Sequence, residues 1–490
     1  MRELCRGTGF LLHVPGLMAL LSLPVAWWAN EPWGLVGLAW TAGISVFCGQ
    51  CLLWLGRGAG VFQRYQSMQI AGISWLLIAL LGTVPFLFSA ALAPANTAMA
   101  AAVSVFEHPV MALFESVSGF TSTGLTVVGQ AADLPAHIQW WRSFSEWVGG
   151  IGVILLLIAV LPAERGALNL YFSEAREEKI LPTVKSTVRA IWLIYAGYTV
   201  ASVGLLWLAG EPAWRALNHG MTAIATGGFS ITNDSLMSTP AAVQLAYMPI
   251  MIAGAMSFLV HYRLIVERQS LGHLWRIDEW RLLIGMLVIG LGLLGLERWL
   301  ALGSWGGMST ALTWVSALTT AGFASVDLAS WGDGALLVVL AAVLMGGMAG
   351  ATSGGVKLLR VSLLFKDLLG QLRSLRASRH EKIMLKHDGE RVSPERIADL
   401  GRIATRLVGV FMLLWLVGVF LVLHTLPADV RLAHVFFDTA SALFNSGLST
   451  GIAGPNMALS TAAILSLLML LGRLEIFPLL VLGAWLLVRR

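Results

Sequence analysis

The sequence is poor in charged residues. Asp, Glu, Lys and Arg together account for 12% of its 490 residues, whereas hydrophobic residues account for 57%. Soluble globular domains carry about 25% charged residues, and the mean hydropathy of this chain is +0.77. Its longest polar stretch runs only from about Lys366 to Arg406. These properties exclude a soluble globular protein and indicate a protein of the lipid bilayer.

Cysteines and catalytic motifs are also scarce. Two of the three cysteines, Cys48 and Cys51, form a CxxC in an apolar stretch without further Cys or His at metal-ligand spacing. This context favours a buried helix face over a redox or zinc site. The sequence has no phosphate-binding GxxxxGK[ST] loop, and few His, Asp or Glu fall within its apolar segments. We therefore predict a protein that is not an enzyme and has no organic cofactor.

The basic residues are unevenly placed. One side of the apolar segments receives 27 of the 32 Lys and Arg; the exceptions are Arg142, Arg215, Arg298, Arg431 and Arg473. Cytoplasmic loops are enriched in Lys and Arg, so the net charge of +5 is explained by membrane orientation and does not indicate nucleic acid as a partner. Arg2 and Arg6 precede the first apolar run, which we interpret as a span with a cytoplasmic N-terminus rather than a signal peptide.

Ten apolar segments are long enough to cross a bilayer, which requires about 20 residues. They cover residues 13–29, 34–55, 70–92, 143–162, 190–209, 241–261, 281–302, 335–365, 405–424 and 461–488. Four shorter apolar segments end in turns that contain glycine: 105–120, 213–225, 308–319 and 432–443. A helix of about 12 residues is about 18 Å long, little more than half of a hydrocarbon core of about 30 Å. The short segments are therefore predicted to be helices that end half-way through the membrane.

The four short segments follow one pattern. Aligned on a shared glycine, they end in SGFTSTGL, TAIATGGF, SALTTAGF and SALFNSGL. Ser or Thr stands six places before the glycine, Gly or Ala five places before it, and Leu or Phe directly after it. Close packing of membrane helices also uses small residues, but it would not place them in register four times. We therefore predict four helix–pore-loop–helix repeats around one pore.

Such a pore is predicted to conduct a cation. Irregular backbone at membrane depth is tolerated where it is buried in protein or lines a watery path, and a half-length helix points its negative C-terminus at the centre. Glycine allows the following backbone to aim carbonyl oxygens at a dehydrated ion. The aligned octets contain no Asp or Glu. The predicted filter residues are Ser122, Thr123, Gly124, Thr226, Gly227, Gly228, Thr320, Ala321, Gly322, Asn445, Ser446 and Gly447.

Nine positions before the aligned glycine, two copies carry a carboxylate, Glu115 and Asp438. Such a group can add negative potential to the pore or hold the pore helix in place. His219 occupies the same position in the second copy and is predicted to be a structural, hydrogen-bonding residue.

Two further features lie below the predicted filter. The eighth apolar segment contains GGMAGATSGG from Gly346 to Gly355, and glycine lowers helix stability by about 1 kcal/mol relative to alanine. We predict a movable loop beneath the third filter segment, with a closely packed glycine face as the alternative. The last segment carries Arg473 and Glu475 at a depth where charge is unfavourable. Arg473 is predicted to project into the pore as a barrier; a structural bridge, including a pair with Glu475, is the alternative.

Four motifs make the chain resemble a known family. They are the Gly-centred loops, WWRSFSEWVGGIGVILL from Trp140, GGMAGATSGGVK from Gly346 and GRLEIFPLLVL from Gly472. Together they resemble the TrkH/TrkG potassium-uptake subunits, in the superfamily that includes KtrB and plant HKT transporters. The resemblance covers nearly the whole chain, and the two extra N-terminal spans are more similar to TrkH than to KtrB. The second copy departs from the pattern, since Ala225 stands where the first and third have Thr121 and Thr319.

The resemblance implies an all-α polytopic membrane fold of four helix–pore-loop–helix repeats with two extra N-terminal transmembrane helices. It further implies a homodimer in the bacterial inner membrane and a cytoplasmic nucleotide-binding ring of the TrkA type as regulator. K⁺ is the implied transported ion, because a Ser at the first filter glycine marks sodium-selective relatives and Gly124 is present here. The implied gate consists of Gly346, Gly347, Gly350, Thr352, Ser353, Gly354, Gly355, Lys357 and Arg473; from the residues alone, Lys357 is interpreted as a cytoplasmic anchor.

We place an N-terminal two-helix domain at residues 1–60 and the four repeats at 61–165, 166–265, 266–400 and 401–490. The competing interpretation is an alternating-access symporter coupled to H⁺ or Na⁺. Such a transporter would have two related halves around a midplane site, whereas this sequence has four loops in register.

Overall fold

The computed structural model describes residues 1–60, 62–152, 184–375 and 385–488. These residues are mostly helical with very little strand, which confirms the predicted class of all-α membrane fold. Two short antiparallel strands, β1 (Leu385–His387) and β2 (Glu390–Val392), form a hairpin that the sequence analysis did not predict. It lies within the long polar stretch between the third and fourth repeats.

The first described parts of the chain contain eight α-helices: α1 (Arg2–Leu11), α2 (His13–Trp28), α3 (Pro32–Leu55), α4 (Arg64–Leu81), α5 (Val84–Leu92), α6 (Ala98–Val103), α7 (Pro109–Phe120) and α8 (Ala136–Ile151). The later parts contain thirteen: α9 (Val184–Leu208), α10 (Ala213–Ile224), α11 (Ala241–Ala255), α12 (Phe258–Ile265), α13 (Leu271–Leu274), α14 (Asp278–Leu302), α15 (Gly307–Leu318), α16 (Asp333–Met345), α17 (Leu358–Ser374), α18 (Pro394–Leu423), α19 (Leu432–Leu443), α20 (Leu459–Arg473) and α21 (Phe477–Val488).

Six stretches of helix among the described residues are long and apolar enough to cross a membrane, and up to nine if each bent pair counts as one span. Two of them, Arg2–Trp28 and Pro32–Leu55, are the two N-terminal spans that were predicted. They pack closely through small residues: a methyl group added to Gly9 would lie within 3.0 Å of the Gly49 carbonyl oxygen. Small residues of this kind let membrane helices approach each other. On α3, Cys48 is partly buried but Cys51 is exposed, so the predicted buried face is wrong for Cys51.

Each repeat contains an outer helix, a pore helix and an inner helix, in that order. The outer helices are α4, α9, α14 and α18; the pore helices are α7, α10, α15 and α19; the inner helices are α8, α11, α16 and α20. Every pore helix packs against the outer and inner helices of its own repeat and against the inner helix of the preceding repeat. The first pore helix packs against the inner helix of the fourth repeat, which closes the ring.

The inner helices all end at the same place in the repeat. Their last residues, Ile151, Ala255, Met345 and Arg473, lie within two positions of a glycine that recurs at Gly149, Gly254, Gly346 and Gly472. The sequence predicts a break only in segment 335–365, but segments 241–261 and 461–488 are also broken, with bends of 102° and 110°. The rest of segment 143–162, beyond Gly152, lies outside the described residues.

Close packing explains the additional breaks. A methyl group added to Gly149, Gly254 or Gly472 would lie within 3.0 Å of the carbonyl oxygen of the last residue of the pore helix in the same repeat. The inner helix therefore touches the pore helix at its C-terminus, and the chain then turns away. After α20 it does so through Glu475 and Ile476, which have φ of +47° and +70°. Glycine density along the sequence did not reveal these turns.

The predicted boundaries between the repeats fall at different positions relative to the helices. The boundary between 265 and 266 falls directly after α12. The boundary between 400 and 401 falls inside α18, which begins at Pro394 after the Ser393 N-cap. The boundary between 165 and 166 lies outside the described residues.

Candidate ion pathway

The four pore helices have the same length and the same ending. Each has 12 residues and ends four positions before its aligned glycine. The residue two places before that glycine has a left-handed backbone in every copy, with φ between +51° and +53°, and the four residues are Ser122, Thr226, Thr320 and Asn445. Non-glycine residues rarely adopt this region, β-branched ones least of all, and such strain is concentrated at functional sites.

A hydrogen-bond pattern at the helix end imposes this conformation. In the first repeat, the N–H of Thr123 donates to the Ser118 carbonyl at 2.9 Å and the N–H of Ser122 donates to the Gly119 carbonyl at 2.8 Å. The other three repeats have the same two bonds at the same positions. This is the Schellman ending of a helix, which requires a left-handed residue at the position that these four side chains occupy. The pattern that the sequence repeats is thus a helix ending followed by a turn.

The four turns meet around one axis. A methyl group added to Gly124 would lie within 3.0 Å of the carbonyl oxygen of Gly227, in the second repeat. In the same way, Gly228 contacts the carbonyl of Ala321 in the third repeat, Gly322 that of Ser446 in the fourth, and Gly447 that of Thr123 in the first. Each filter glycine therefore packs on the next repeat in order, and the fourth packs on the first. We call the four oxygens, from Thr123, Gly227, Ala321 and Ser446, the carbonyl ring.

The departure at Ala225 does not alter this ring. The hydroxyl groups of Thr121 and Thr319 donate to carbonyls of their own pore helices, at 2.7 Å to Val117 and 2.7 Å to Val315. Alanine at that position in the second repeat removes one bond within a helix and leaves the loop path unchanged.

Buried polar side chains hold three of the loops from behind. Glu115 accepts hydrogen bonds from the Val127 N–H at 3.0 Å and from Arg142 Nε at 2.7 Å. Asp438 accepts from the Thr450 N–H at 2.7 Å and from Ser449 Oγ at 2.6 Å. These contacts fit the interpretation that the carboxylates hold the pore structure in place.

The second and third repeats differ at the same position. His219 Nε2 accepts from the Ile231 N–H at 3.1 Å, so an imidazole takes the place of the carboxylate. The third repeat has Thr313, whose buried hydroxyl has no partner among the described residues. The third loop therefore lacks the anchor that the other three share.

The glycine-rich segment forms an extended loop between α16 and α17, as the sequence predicted. It lies beneath three repeats rather than beneath the third alone. Thr352 Oγ1 donates to the Gly254 carbonyl of the second repeat at 2.8 Å. The N–H of Gly354 donates to Thr320 Oγ1 of the third repeat at 2.7 Å, and the N–H of Gly355 donates to the Phe444 carbonyl of the fourth at 2.9 Å.

The close approaches of this loop need glycine. A methyl group on Gly354 would lie within 3.0 Å of the Phe444 carbonyl oxygen, and one on Gly347 would lie within 3.0 Å of the Ala255 carbonyl oxygen. Gly346, Gly350 and Gly355 have positive φ between +69° and +79°. The glycines of the loop therefore serve contacts and turns that a larger side chain would disturb.

Arg473 lies at the end of α20, directly beneath the loops. Its guanidinium donates to the carbonyls of Gly149 and Gly150 in the first repeat and, at 3.3 Å, to the Thr352 carbonyl in the glycine-rich loop. Glu475, its suggested partner, instead forms an ion pair with Arg360 of α17. Arg473 thus links the first repeat, the fourth repeat and the glycine-rich loop.

A cavity opens between the turn of the fourth repeat and the glycine-rich loop. It is lined by Trp75, Ser353, Asn445 and Arg473, among others. Lys357 also borders it, and its ammonium group donates to the Ser353 carbonyl. One predicted filter residue, Asn445, therefore borders the same cavity as part of the glycine-rich loop and Arg473. The predicted gate residues that line it are Gly350, Ser353, Gly354, Gly355, Lys357 and Arg473.

The sequence analysis missed one residue of this site, Glu146 on α8. Its side chain is fully buried and accepts the N–H of Phe229 at 3.0 Å. A methyl group on Gly227 would lie within 3.0 Å of both its carboxylate oxygens. The signal was available: a carboxylate within an apolar span faces an interior, and Glu146 lies in the WWRSFSEWVGG motif.

Comparison with known proteins identifies the family. The model of the TrkH family, described as a cation transport protein, matches residues 44–279 and 307–487. The chain belongs to this family. It is a multi-pass membrane protein, and its family consists of cation transporters, not enzymes.

Individual relatives match over most of their length. The chain is 31% identical to the Trk system potassium uptake protein TrkH of Salmonella typhimurium, over 96% of this chain and 94% of that one. It is also 31% identical to an uncharacterized cation transporter of Methanocaldococcus jannaschii, over 86% of this chain and 82% of that one. The crystal structure of the potassium transporter TrkH from Vibrio parahaemolyticus superposes with a TM-score of 0.82 at 26% identity and covers 98% of both chains.

Proposed function

We propose that this TrkH-family chain carries K⁺ into a bacterial cell through the carbonyl ring. The closed order of contacts around the four filter glycines supports this proposal most strongly, because each glycine lies against a carbonyl of the next repeat and the fourth lies against the first. The names of the Salmonella and Vibrio relatives supply the ion. Gly124 at the first filter position agrees with K⁺ preference.

The geometry suggests how a cation would be stabilised there. Four helix C-termini point their partial negative charge at the ring, and backbone carbonyls can replace the water shell of the ion. The residues that would contact the ion are the twelve predicted filter residues, with carbonyl oxygens in the leading role. A membrane potential of about 100 mV, negative inside, contributes about 2.3 kcal/mol per unit charge to uptake, so the potential would drive the flux.

The gate in this proposal consists of the loop from Gly346 to Lys357 together with Arg473. The loop is bonded to three repeats directly below the filter, and Arg473 bonds it to the first. Release of these hydrogen bonds would open the cavity toward the cytoplasm. Arg473 would act both as a positive barrier to cations and as the strut that keeps the loop closed.

The proposed setting is the bacterial inner membrane, with the N-terminus in the cytoplasm. Helices α14 and α18 are only 17% and 22% buried in their most apolar windows, so their apolar faces are available to lipid or to a second copy. We propose a homodimer regulated by a nucleotide-binding ring of the TrkA type. The mass of the purified chain in detergent tests the dimer, and co-purification with such a ring tests the regulator. A monomeric chain that does not co-purify with the ring would contradict both proposals.

Uptake of Rb⁺ into a K⁺-transport-deficient bacterium tests the transport proposal. Cells that express the chain are expected to accumulate Rb⁺, and this uptake is expected to stop when the membrane potential is collapsed. Gly228→Ala is expected to reduce K⁺ uptake because its methyl group would collide with the Ala321 carbonyl. Gly451→Ala is the control, since Gly451 also has a positive φ but nothing within 4 Å. Uptake that follows an H⁺ or Na⁺ gradient instead of the potential would favour a symporter.

A further inference from the structure

Glu146 differs from its counterparts in the other repeats. The recurring glycine of the inner helices sets the register, and three residues before it stand Glu146, Met251, Val343 and Met469. All four side chains are fully buried. The first repeat therefore carries a carboxylate where the other three carry apolar side chains, and packing alone does not require it.

The carboxylate lies at the seam between the first and second filter loops. It accepts the N–H of Phe229 with distances of 3.2 Å to Oε1 and 3.0 Å to Oε2. A methyl group on Gly124 would lie 3.3 Å from Oε1. Glu146 thus contacts Gly227 from behind, and the carbonyl oxygen of Gly227 is one of the four in the carbonyl ring. One layer of backbone separates the carboxylate from the ion path.

No basic residue among those the structure describes forms an ion pair with Glu146. The nearest candidate, Arg142, lies one turn earlier on α8 and is engaged elsewhere. It pairs with Glu115 at 2.7 Å, donates to the Ser230 carbonyl at 2.8 Å and lies 4.1 Å above the Phe229 ring. A buried carboxylate without a cationic partner is unfavourable in a protein interior, and the positive charge that can approach it is the ion in the filter.

We propose that Glu146 is a charge-supplying residue of the filter, whose carboxylate strengthens cation binding at the carbonyl ring. This inference rests on the proposed function. The role is electrostatic: Glu146 does not touch the ion but acts through the backbone of Gly227. Because Coulomb interactions weaken slowly with distance inside a protein, one layer of backbone leaves a substantial attraction.

The competing explanation is structural, with Glu146 needed only to accept the Phe229 N–H. Glu146→Gln separates the two explanations because the amide keeps the shape and one acceptor oxygen but loses the charge. The measurement is the stabilisation of the purified full-length chain by K⁺, recorded as melting temperature against K⁺ concentration. We expect the K⁺ midpoint to rise about tenfold, which corresponds to about 1.4 kcal/mol, with little change in melting temperature without K⁺. An unchanged midpoint would overturn the inference.

Two further variants keep the test decisive. Glu146→Asp retains the charge, so its K⁺ midpoint is expected to lie nearer to that of the unmodified chain than to that of Glu146→Gln, even if both melt early. A midpoint as high as that of the Gln variant would contradict the charge role. Met469→Gln, at the same register in the fourth repeat, is the control for adding an amide. If the unmodified chain shows no stabilisation by K⁺, the proposed function itself fails.

Discussion

The outer halves of the four repeats have the same structure, whereas the inner halves differ from one repeat to the next. Outside, the four pore helices have the same length, the same ending and the same left-handed turn, and each filter glycine packs on the next repeat. Inside, the repeats diverge after the recurring glycine. The second turns sharply into α12, the third continues into the gate loop, and the fourth ends at Arg473 and turns into α21.

This difference follows from what each half has to do in the proposed function. A dehydrated cation needs oxygens on all sides at equal reach, so every repeat must present its carbonyl in the same way. A gate needs one element with two positions, and one repeat can supply it. The comparison therefore predicts that substitutions of the filter glycines act alike in every repeat, whereas substitutions in the inner half matter in particular repeats.

The largest expected effect is that of Gly124→Ser on selectivity. The new side chain would collide with the Gly227 carbonyl oxygen and strain a residue at φ +88°, so the ring would lose the geometry that favours K⁺ and would admit Na⁺. The ratio of K⁺ to Na⁺ permeability in reconstituted vesicles is expected to fall at least tenfold, or about 1.4 kcal/mol. Gly451→Ser is the control for a positive φ without a close contact. Unchanged permeabilities would remove Gly124 from the filter.

In the inner half, Gly354→Ala is expected to raise basal K⁺ flux by about tenfold. Its methyl group would push the gate loop away from the Phe444 carbonyl and disrupt bonds that each contribute about 1 kcal/mol. Tracer flux through vesicles without any regulatory subunit measures the effect. Gly409→Ala, on α18 with open space around it, serves as the control. A flux equal to that of the control would show that the loop does not close the pore.

Arg473→Ala is expected to raise the flux by a smaller factor, about threefold to tenfold, because it removes hydrogen bonds of about 1 kcal/mol each. Arg473→Lys distinguishes the two roles. Lysine keeps the positive charge but cannot form the same fork of bonds, so a low flux would favour the barrier and a high flux the strut. Arg402→Ala, at an exposed ion pair, is the control. If Arg473→Ala left the flux unchanged or lowered it, neither gating role would hold.

The expected effects on ion flux are smallest for the anchors behind the loops. Asp438→Asn replaces a carboxylate that accepts several hydrogen bonds with an amide. This change is expected to lower the free energy of unfolding by about 1–3 kcal/mol. Thr313→Val, at the same position of the third repeat, removes a hydroxyl without a partner and is expected to be neutral. Melting temperatures of the purified variants compare the two. Equal losses would mean that the third repeat has an anchor of its own.

The sequence was most informative where the structure repeats. The filter residues could be aligned because a Schellman ending and a close glycine contact impose the same residue types four times. The broken inner helices were missed because their cause is contact between Gly254 or Gly472 and a pore helix far along the chain. Arg473 was found from its charge, but its partners were not, since Gly149 and Gly150 come near it only in the folded ring.

The location of the bound ion tests the central claim most directly. Crystals of the chain soaked in Tl⁺, a K⁺ substitute with strong anomalous scattering, would show where the cation binds. The account predicts a peak on the axis, within coordination distance of the carbonyl oxygens of Thr123, Gly227, Ala321 and Ser446. A peak confined to another part of the chain, or an empty ring at saturating Tl⁺, would contradict it.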